Sequence, residues 1–258
     1  MRIVFIGSGN IAHFFATRLK AKGHELVQVY SPDRLHAAAL AGLCAIPHFT
    51  DNLAEITTDA DVYVLAVTDG ALPQVAGRLS YPGKVVIHCA GAVSLDVLQP
   101  VSEHRAVIWS LYSVKKENLP EGNQVPLILE ASTPEALTTA VAIAGAISGN
   151  VLQTDFRQRQ LLHLNAVFVN NFTNHLLVIA QRLCEEHSLP FAILHPIISQ
   201  TLAQAQRVAP SESQTGPALR NDRDTIEKHL ALLAAHPEWQ KIYADLTASI
   251  QQAAHMQP

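Results

Sequence analysis

The chain has 258 residues, of which 48% are hydrophobic and 16% charged, and a formal net charge of −4. Such a length is ample for one large domain or two modest ones, and the composition is that of a globular protein, not a disordered one. The acidic balance leaves no basic stripe for a nucleic-acid backbone, so no nucleic acid is expected as partner.

No apolar run reaches the roughly 18 residues that span a bilayer, so no membrane span is expected. Arg2 is followed by only four apolar residues before Gly7, so no cleavable leader is expected either. Cys44, Cys89 and Cys184 are odd in number and scattered. They exclude a disulfide framework and a cysteine zinc site and point to a reducing cytoplasm. The chain holds 13 histidines, but no element carries them at tight ligand spacing, so no metal is expected.

In chain order, Arg2 to Ile6 is a β-branched and aromatic run that predicts a buried strand. Gly7-Ser8-Gly9-Asn10-Ile11-Ala12 follows at once. Then Ile11, Phe14, Phe15 and Leu19 recur at helical spacing up to Gly23, and Glu25 to Tyr30 predicts a second strand. In such a strand-turn-helix unit the first glycine makes a tight turn, and the second lets the backbone approach a pyrophosphate. The small third position, Ala12, allows close packing of helix on strand. The free N–H groups and positive end of the helix then face the phosphates, so Gly7, Ser8, Gly9, Asn10 and Ile11 are candidate cofactor contacts.

The second strand ends in Tyr30-Ser31-Pro32-Asp33-Arg34, with no acid at its tip to hold ribose hydroxyls. Ser31 can donate to a phosphate and Arg34 can pair with a 2′-phosphate, which favours NADP. NAD stays possible through Asp33. The same residues also suit a helix start with Ser31 as cap and Pro32 in the first turn.

Asp61 to Val67 and Lys84 to His88 predict central parallel strands, ending in Thr68-Asp69-Gly70 and Cys89-Ala90-Gly91-Ala92-Val93-Ser94. Ala90 and Gly91 carry little bulk, so backbone N–H groups there could meet a nicotinamide or a substrate carboxylate. Ser94 also suits a helix cap. Further strands are expected at Ala106 to Trp109, Pro126 to Glu130 and Asn150 to Thr154, with a helix over Pro134 to Ile147 capped by Ser132 or Thr133. The alternation predicts an α/β fold: a doubly wound, mostly parallel Rossmann sheet over 1–155, followed by an all-helical domain over 156–258.

Arg157 to His187 reads as one long helix. At 100° per residue, Leu161, Leu164, Phe168, Phe172 and Ile179 share an apolar side, while His163, Asn170 and Asn174 fall within about 40° of one another. Asn171 and His175 form a neighbouring stripe. Such a cluster suits either a face lining the nicotinamide cleft or buried amides at a structural contact. Helices are expected from Leu189-Pro190 to about Val208, from Asp224 through Leu233, and from Pro237 on. Between them Thr215-Gly216-Pro217 and Arg220-Asn221-Asp222 form a polar turn. It can close over a substrate with Arg220 on a carboxylate, or serve as an interhelical turn with Asp222 capping.

Taken together, Gly7–Ala12, Val29–Ser31, Ala66–Asp69, His88–Ser94, His163–His175 and Gln214–Asp222 resemble a bacterial family with a Rossmann-like domain followed by a helical domain of unknown function. More distantly the chain is similar to pyrroline-5-carboxylate reductases and to β-hydroxyacid and ketopantoate dehydrogenases. The resemblance implies a homodimer formed through the helical domain. It also implies that Val67, Thr68, Asp69, Cys89, Ala90 and Gly91 flank the nicotinamide. The β-hydroxyacid and ketopantoate enzymes use a lysine on the interdomain helix, whereas Arg157 to His187 contains none.

The expected activity is therefore NADP-dependent hydride transfer to a C=O or C=N carbon of a small, carboxylated substrate. His163 would be the proton donor and Asn170 or Asn171 the orienting amide. Gly91, His175, Thr215, Gly216 and Arg220 are the candidate substrate contacts. The missing lysine also raises an alternative, a non-catalytic NADP-binding sensor.

Overall fold

A computed structural model describes residues 1–255. Its contacts divide the chain into two units that meet in sequence at Val169 and Asn170. Among the described residues all eight strands belong to the first unit: β1 (Arg2–Ile6), β2 (Glu25–Tyr30), β3 (His48–Thr50), β4 (Val62–Leu65), β5 (Val85–His88), β6 (Arg105–Ser110), β7 (Leu127–Ala131) and β8 (Val151–Gln153). They form one sheet in the order β3-β2-β1-β4-β5-β6-β7-β8. Every pairing is parallel except β6 with β7. The doubly wound Rossmann sheet is thus observed.

Strands β1 and β4 are buried along almost their whole length because helices cover both faces of the sheet. One face carries Phe14, Phe15 and Leu19 of helix α1 (Asn10–Ala21), Leu40 of α2 (Arg34–Cys44) and Ile143 of α4 (Pro134–Ile147). The other packs beneath Leu72 and Ala76 of α3 (Leu72–Ala76), Leu53 and Leu98. Removing each such large side chain from water contributes about 1.5–3 kcal/mol. On this second face Tyr63 and Tyr81 stack with centroids 3.7 Å apart.

Two local readings are corrected and one strand is added. Helix α2 is capped by Asp33, not Ser31: its carboxylate accepts from the N–H groups of Leu35 and His36, at 2.8 and 3.2 Å. Strand β3 forms from only three residues, too few for its pattern to announce it. The helix expected from Pro190 to Val208 is a 3₁₀ turn over Phe191–Leu194 followed by α7 (His195–Ala205).

The first unit closes with α5 (Phe156–Ala166), started by a capping box in which Asp155 and Gln158 bond each other's backbone. A π-helical segment, Val167–Phe172, follows, and then α6 (Thr173–Glu186). In π geometry each residue turns less than in an α-helix. The 100° projection therefore does not carry through these six residues, and the single face drawn for His163, Asn170 and Asn174 is not a property of this helix. The second unit also holds α8 (Arg223–Leu232) and α9 (Pro237–His255). Within it, His229 Nδ1 and the Tyr243 hydroxyl are hydrogen-bonded at 2.8 Å.

Candidate functional site

Strands β1, β4 and β5 end at the same sheet edge, because Ile6 pairs with Leu65 and Leu65 with His88. This carboxyl edge is where doubly wound sheets bind ligands. The Gly7 N–H donates to the Tyr30 carbonyl at 2.8 Å, fixing the turn against β2. Gly7 has φ +117°, and a Cβ there would overlap the Ala66 carbonyl. The backbones of the two loops therefore approach as only glycine permits. Gly9, by contrast, faces open space. It is the N-cap of α1, which has no side-chain cap and no acid in its first turn. The N–H groups at the head of α1 are thus left for an external acceptor.

A cleft of about 390 Å³ opens on this turn. Its walls are Gly7, Ser8 and Gly9, the β2 tip at Tyr30-Ser31-Pro32, and the β4 end at Ala66-Val67-Thr68, with Ala71, Gln74, Val75 and Arg78 behind. The Ser8 hydroxyl donates to Ser31 Oγ at 2.8 Å, and Ser31 is buried. Asn10 lies beside the cleft, where its Oδ1 accepts from the Lys116 N–H at 3.2 Å. Ile11 packs on the core. Asp69 is exposed and does not line the cleft.

Arg34 is turned elsewhere. Its guanidinium pairs with Asp51 at 3.0 Å and lies 5.2 Å from the Phe49 ring centroid. Arg78, at the end of the α3 turn, is the arginine that lines the cleft. Sequence reasoning missed Arg78, which no motif marks, and missed Lys116, which comes from a loop a hundred residues after the glycine turn.

The second half of the edge is built from the segment after β5. The Cys89 thiol is buried and pushed up to about 12 by that burial, so Cys89 offers only backbone here. Gly91 is buried, and a Cβ on it would sit 2.5 Å from Cε2 of Trp109. The indole therefore fills the space a side chain would take. Trp109 in turn packs on His163, with ring centroids 5.5 Å apart. The fold thus brings Gly91, Trp109 and His163 together. Of these, Trp109 was not among the candidates.

Beneath the segment lies Arg159, with no exposed side-chain area. Its Nη2 pairs with Glu130 at 2.8 Å and its Nε donates to the same carboxylate oxygen at 3.2 Å. Its Nη1 donates to the carbonyls of Ala90, Gly91 and Val93 at 3.1, 2.6 and 2.8 Å. Next to it, His88 is fully buried, and its Nδ1 accepts from the Ala90 N–H at 3.2 Å. Burial first, and the Arg159 charge second, lower its pKa to about 3, so the ring is neutral.

Asn170, Asn171, His175, Thr215, Gly216 and Arg220 all belong to the second unit. Asn170, Asn171, His175, Thr215 and Arg220 are exposed. Gly216 has φ +107°, and its carbonyl accepts from the Arg220 N–H at 3.3 Å. Asp222 caps α8, its carboxylate accepting from the Thr225 N–H at 3.2 Å. Among the described residues no group of three His, Cys, Asp or Glu is arranged to hold a metal. Nor is any helix among them long and apolar enough to cross a membrane.

Residues 2–91 match the family described as NADP oxidoreductase coenzyme F420-dependent, and residues 125–250 match the domain of unknown function DUF2520. A crystal structure of a candidate NADP oxidoreductase from Bacteroides fragilis is 34% identical, with 97% of this chain and 98% of that chain covered and a TM-score of 0.87. The chain belongs to this NADP oxidoreductase family.

Two more distant structures share its fold. A pyrroline-5-carboxylate reductase from Coxiella burnetii is 20% identical over 99% of this chain and 98% of its own, with a TM-score of 0.54. An imine reductase from Streptomyces aurantiacus is 15% identical over 98% of this chain and 95% of its own, with a TM-score of 0.68. The curated proteins contain no match. The cofactor of an NADP oxidoreductase fits the cradle just described: a turn closed to side chains at Gly7, open at Gly9, and an uncapped helix head.

Proposed function

We propose that the protein is an NADP-dependent reductase acting on a C=O or C=N carbon of a small, carboxylated substrate. NADPH supplies the hydride. In this reading Gly7, Ser8, Gly9, Asn10 and Ile11 hold the pyrophosphate, and Ser31 faces the 2′-phosphate. Arg34 would have to leave Asp51 to join it, whereas Arg78 already lines the cleft. Val67, Thr68, Asp69, Cys89, Ala90 and Gly91 flank the nicotinamide with their backbone.

The observation that carries the reading is the group Gly91, Trp109 and His163 at the carboxyl edge of the sheet. A half-buried histidine held against an indole beside that loop is a suitable proton donor. Asn170 and Asn171 orient the substrate oxygen, and Gly91, His175, Thr215, Gly216 and Arg220 contact the substrate. Residues 1–155 bind the cofactor, and 156–258 complete the substrate site and pair with a second copy in the cytoplasm. Exposed apolar side chains on the helices, Leu161 at 53%, Ile193 at 72% and Leu232 at 74%, support the pairing.

The test is NADPH oxidation against a panel of small oxo and imino acids, followed by single-turnover hydride transfer in His163→Ala and Asn170→Ala. Unchanged transfer in both variants would sink the assignment of roles. A second reading, a sensor that binds NADP without turnover, is favoured by the absence of lysine between Arg157 and His187. Tight NADPH binding with no oxidation across the panel would select it.

A further inference from the structure

We propose that Arg159 is a positioning residue for the nicotinamide end of the site: from the buried side it holds the segment after β5 so that its N–H groups face a ligand. The proposal rests on the reading that this segment meets the nicotinamide.

Burying a guanidinium costs several kcal/mol unless its donors are satisfied. Here Glu130 takes Nε and Nη2, and the Phe156 ring lies 5.1 Å from Cζ. A carboxylate partner alone would satisfy the need for countercharge. Yet Nη1 is spent on three main-chain carbonyls within four residues, those of Ala90, Gly91 and Val93.

Each carbonyl belongs to a trans peptide, in which C=O and the following N–H point in opposite directions. With three oxygens drawn inward to one cation, the N–H groups of Gly91, Ala92 and Ser94 are turned the other way. None of the three donates to another protein group among the described residues. Three carbonyl oxygens converging on one point repel each other, and the cationic Nη1 group beneath them offsets that repulsion while Nε and Nη2 stay on Glu130.

Trp109 limits the same segment from another side, since its indole occupies the space beside Gly91. Lysine cannot substitute for Arg159. Its single ammonium lacks the fork that reaches Glu130 and three carbonyls at once. The ligand group suited to three outward N–H donors is an acceptor oxygen, such as the carboxamide oxygen of a nicotinamide.

The experiment measures two affinities by calorimetry, for NADPH and for adenosine 2′,5′-bisphosphate, which keeps the adenine-side groups and lacks the nicotinamide. Fluorescence of the bound reduced nicotinamide is recorded in parallel. Arg159→Lys is expected to weaken NADPH about tenfold or more, leave the bisphosphate within about twofold and shift the nicotinamide emission. Glu130→Gln keeps the guanidinium but removes its countercharge, and gives the same selective pattern at smaller size. It carries the test if Arg159→Lys does not fold.

Equal weakening of both ligands would mean that Arg159 only supports the fold, and unchanged NADPH affinity would mean that it does not set the segment. Either overturns the proposal. If the wild-type protein binds NADPH no more tightly than the bisphosphate, with unperturbed nicotinamide emission, the reading of the segment itself fails and the proposal falls with it.

Discussion

The Ser8 hydroxyl donates to Ser31 Oγ at 2.8 Å, joining the glycine turn after β1 to the tip of β2. The two elements that meet a dinucleotide's pyrophosphate and its adenosine ribose are thereby coupled. An acid in place of Ser31 repels a 2′-phosphate and accepts ribose hydroxyls. Ser31→Asp is expected to lower NADPH affinity at least about tenfold while NADH affinity holds or rises, read by paired titrations. Unchanged discrimination would remove Ser31 from the 2′ end.

The two arginines near this tip are expected to differ. Arg34 is engaged by Asp51 at the surface, and such an exposed pair contributes about 0–1 kcal/mol. Arg78 lines the cleft. Arg78→Ala should narrow the NADPH-to-NADH affinity ratio by about tenfold, and Arg34→Ala by less than about threefold. The reverse order would show that Arg34 leaves Asp51 when the cofactor binds.

Gly7→Ala tests the close approach of the two loops. The new methyl meets the Ala66 carbonyl, and φ +117° is strained for any residue with a Cβ. A loss of about 2–3 kcal/mol in stability is expected, together with loss of NADPH binding. Denaturant unfolding and a titration check the two parts. Normal binding in the variant would mean that the turn is not the phosphate cradle.

Gly91→Ala acts on Trp109. Its methyl would lie 2.5 Å from the indole, so the ring must move and its contact with His163 changes. The chain has two tryptophans. In a Trp239→Phe background, the emission of Trp109 should shift and stability should fall by about 1–3 kcal/mol. An identical emission spectrum would contradict the packing.

His88 gives a pH signature. Its folded pKa is near 3 against an ordinary value of 6.5, so between those values the unfolded chain binds more protons. Its contribution is complete above about pH 6.5 and is lost as pH falls toward 3, amounting to about 2 kcal/mol by pH 5. His88→Gln should flatten that part of the stability profile, measured by chemical unfolding from pH 4 to 8. A profile equally steep in the variant would assign the slope to other groups.

Local patterns carried much of this architecture. The apolar run Arg2–Ile6, the glycines after it and the helical spacing of Phe14, Phe15 and Leu19 each depend on neighbours within a few residues. So does Thr133 as the cap of α4, accepting from the Ala136 N–H at 3.2 Å. The face drawn for His163, Asn170 and Asn174 was less legible. A π segment over Val167–Phe172 changes the angular step, and no residue in it announces that change.

What the amino-acid sequence determined by itself is the dinucleotide-binding βαβ unit, because a tight turn, a close backbone and a helix head are properties of consecutive residues. Only the tertiary structure decided which side chains serve it. Arg159 reaches Gly91 across 68 positions, Trp109 covers Gly91 from β6, and Asp51 draws Arg34 away from the cleft that Arg78 lines. These pairings follow from strand order and packing, which place distant residues together where no spacing along the chain records the contact.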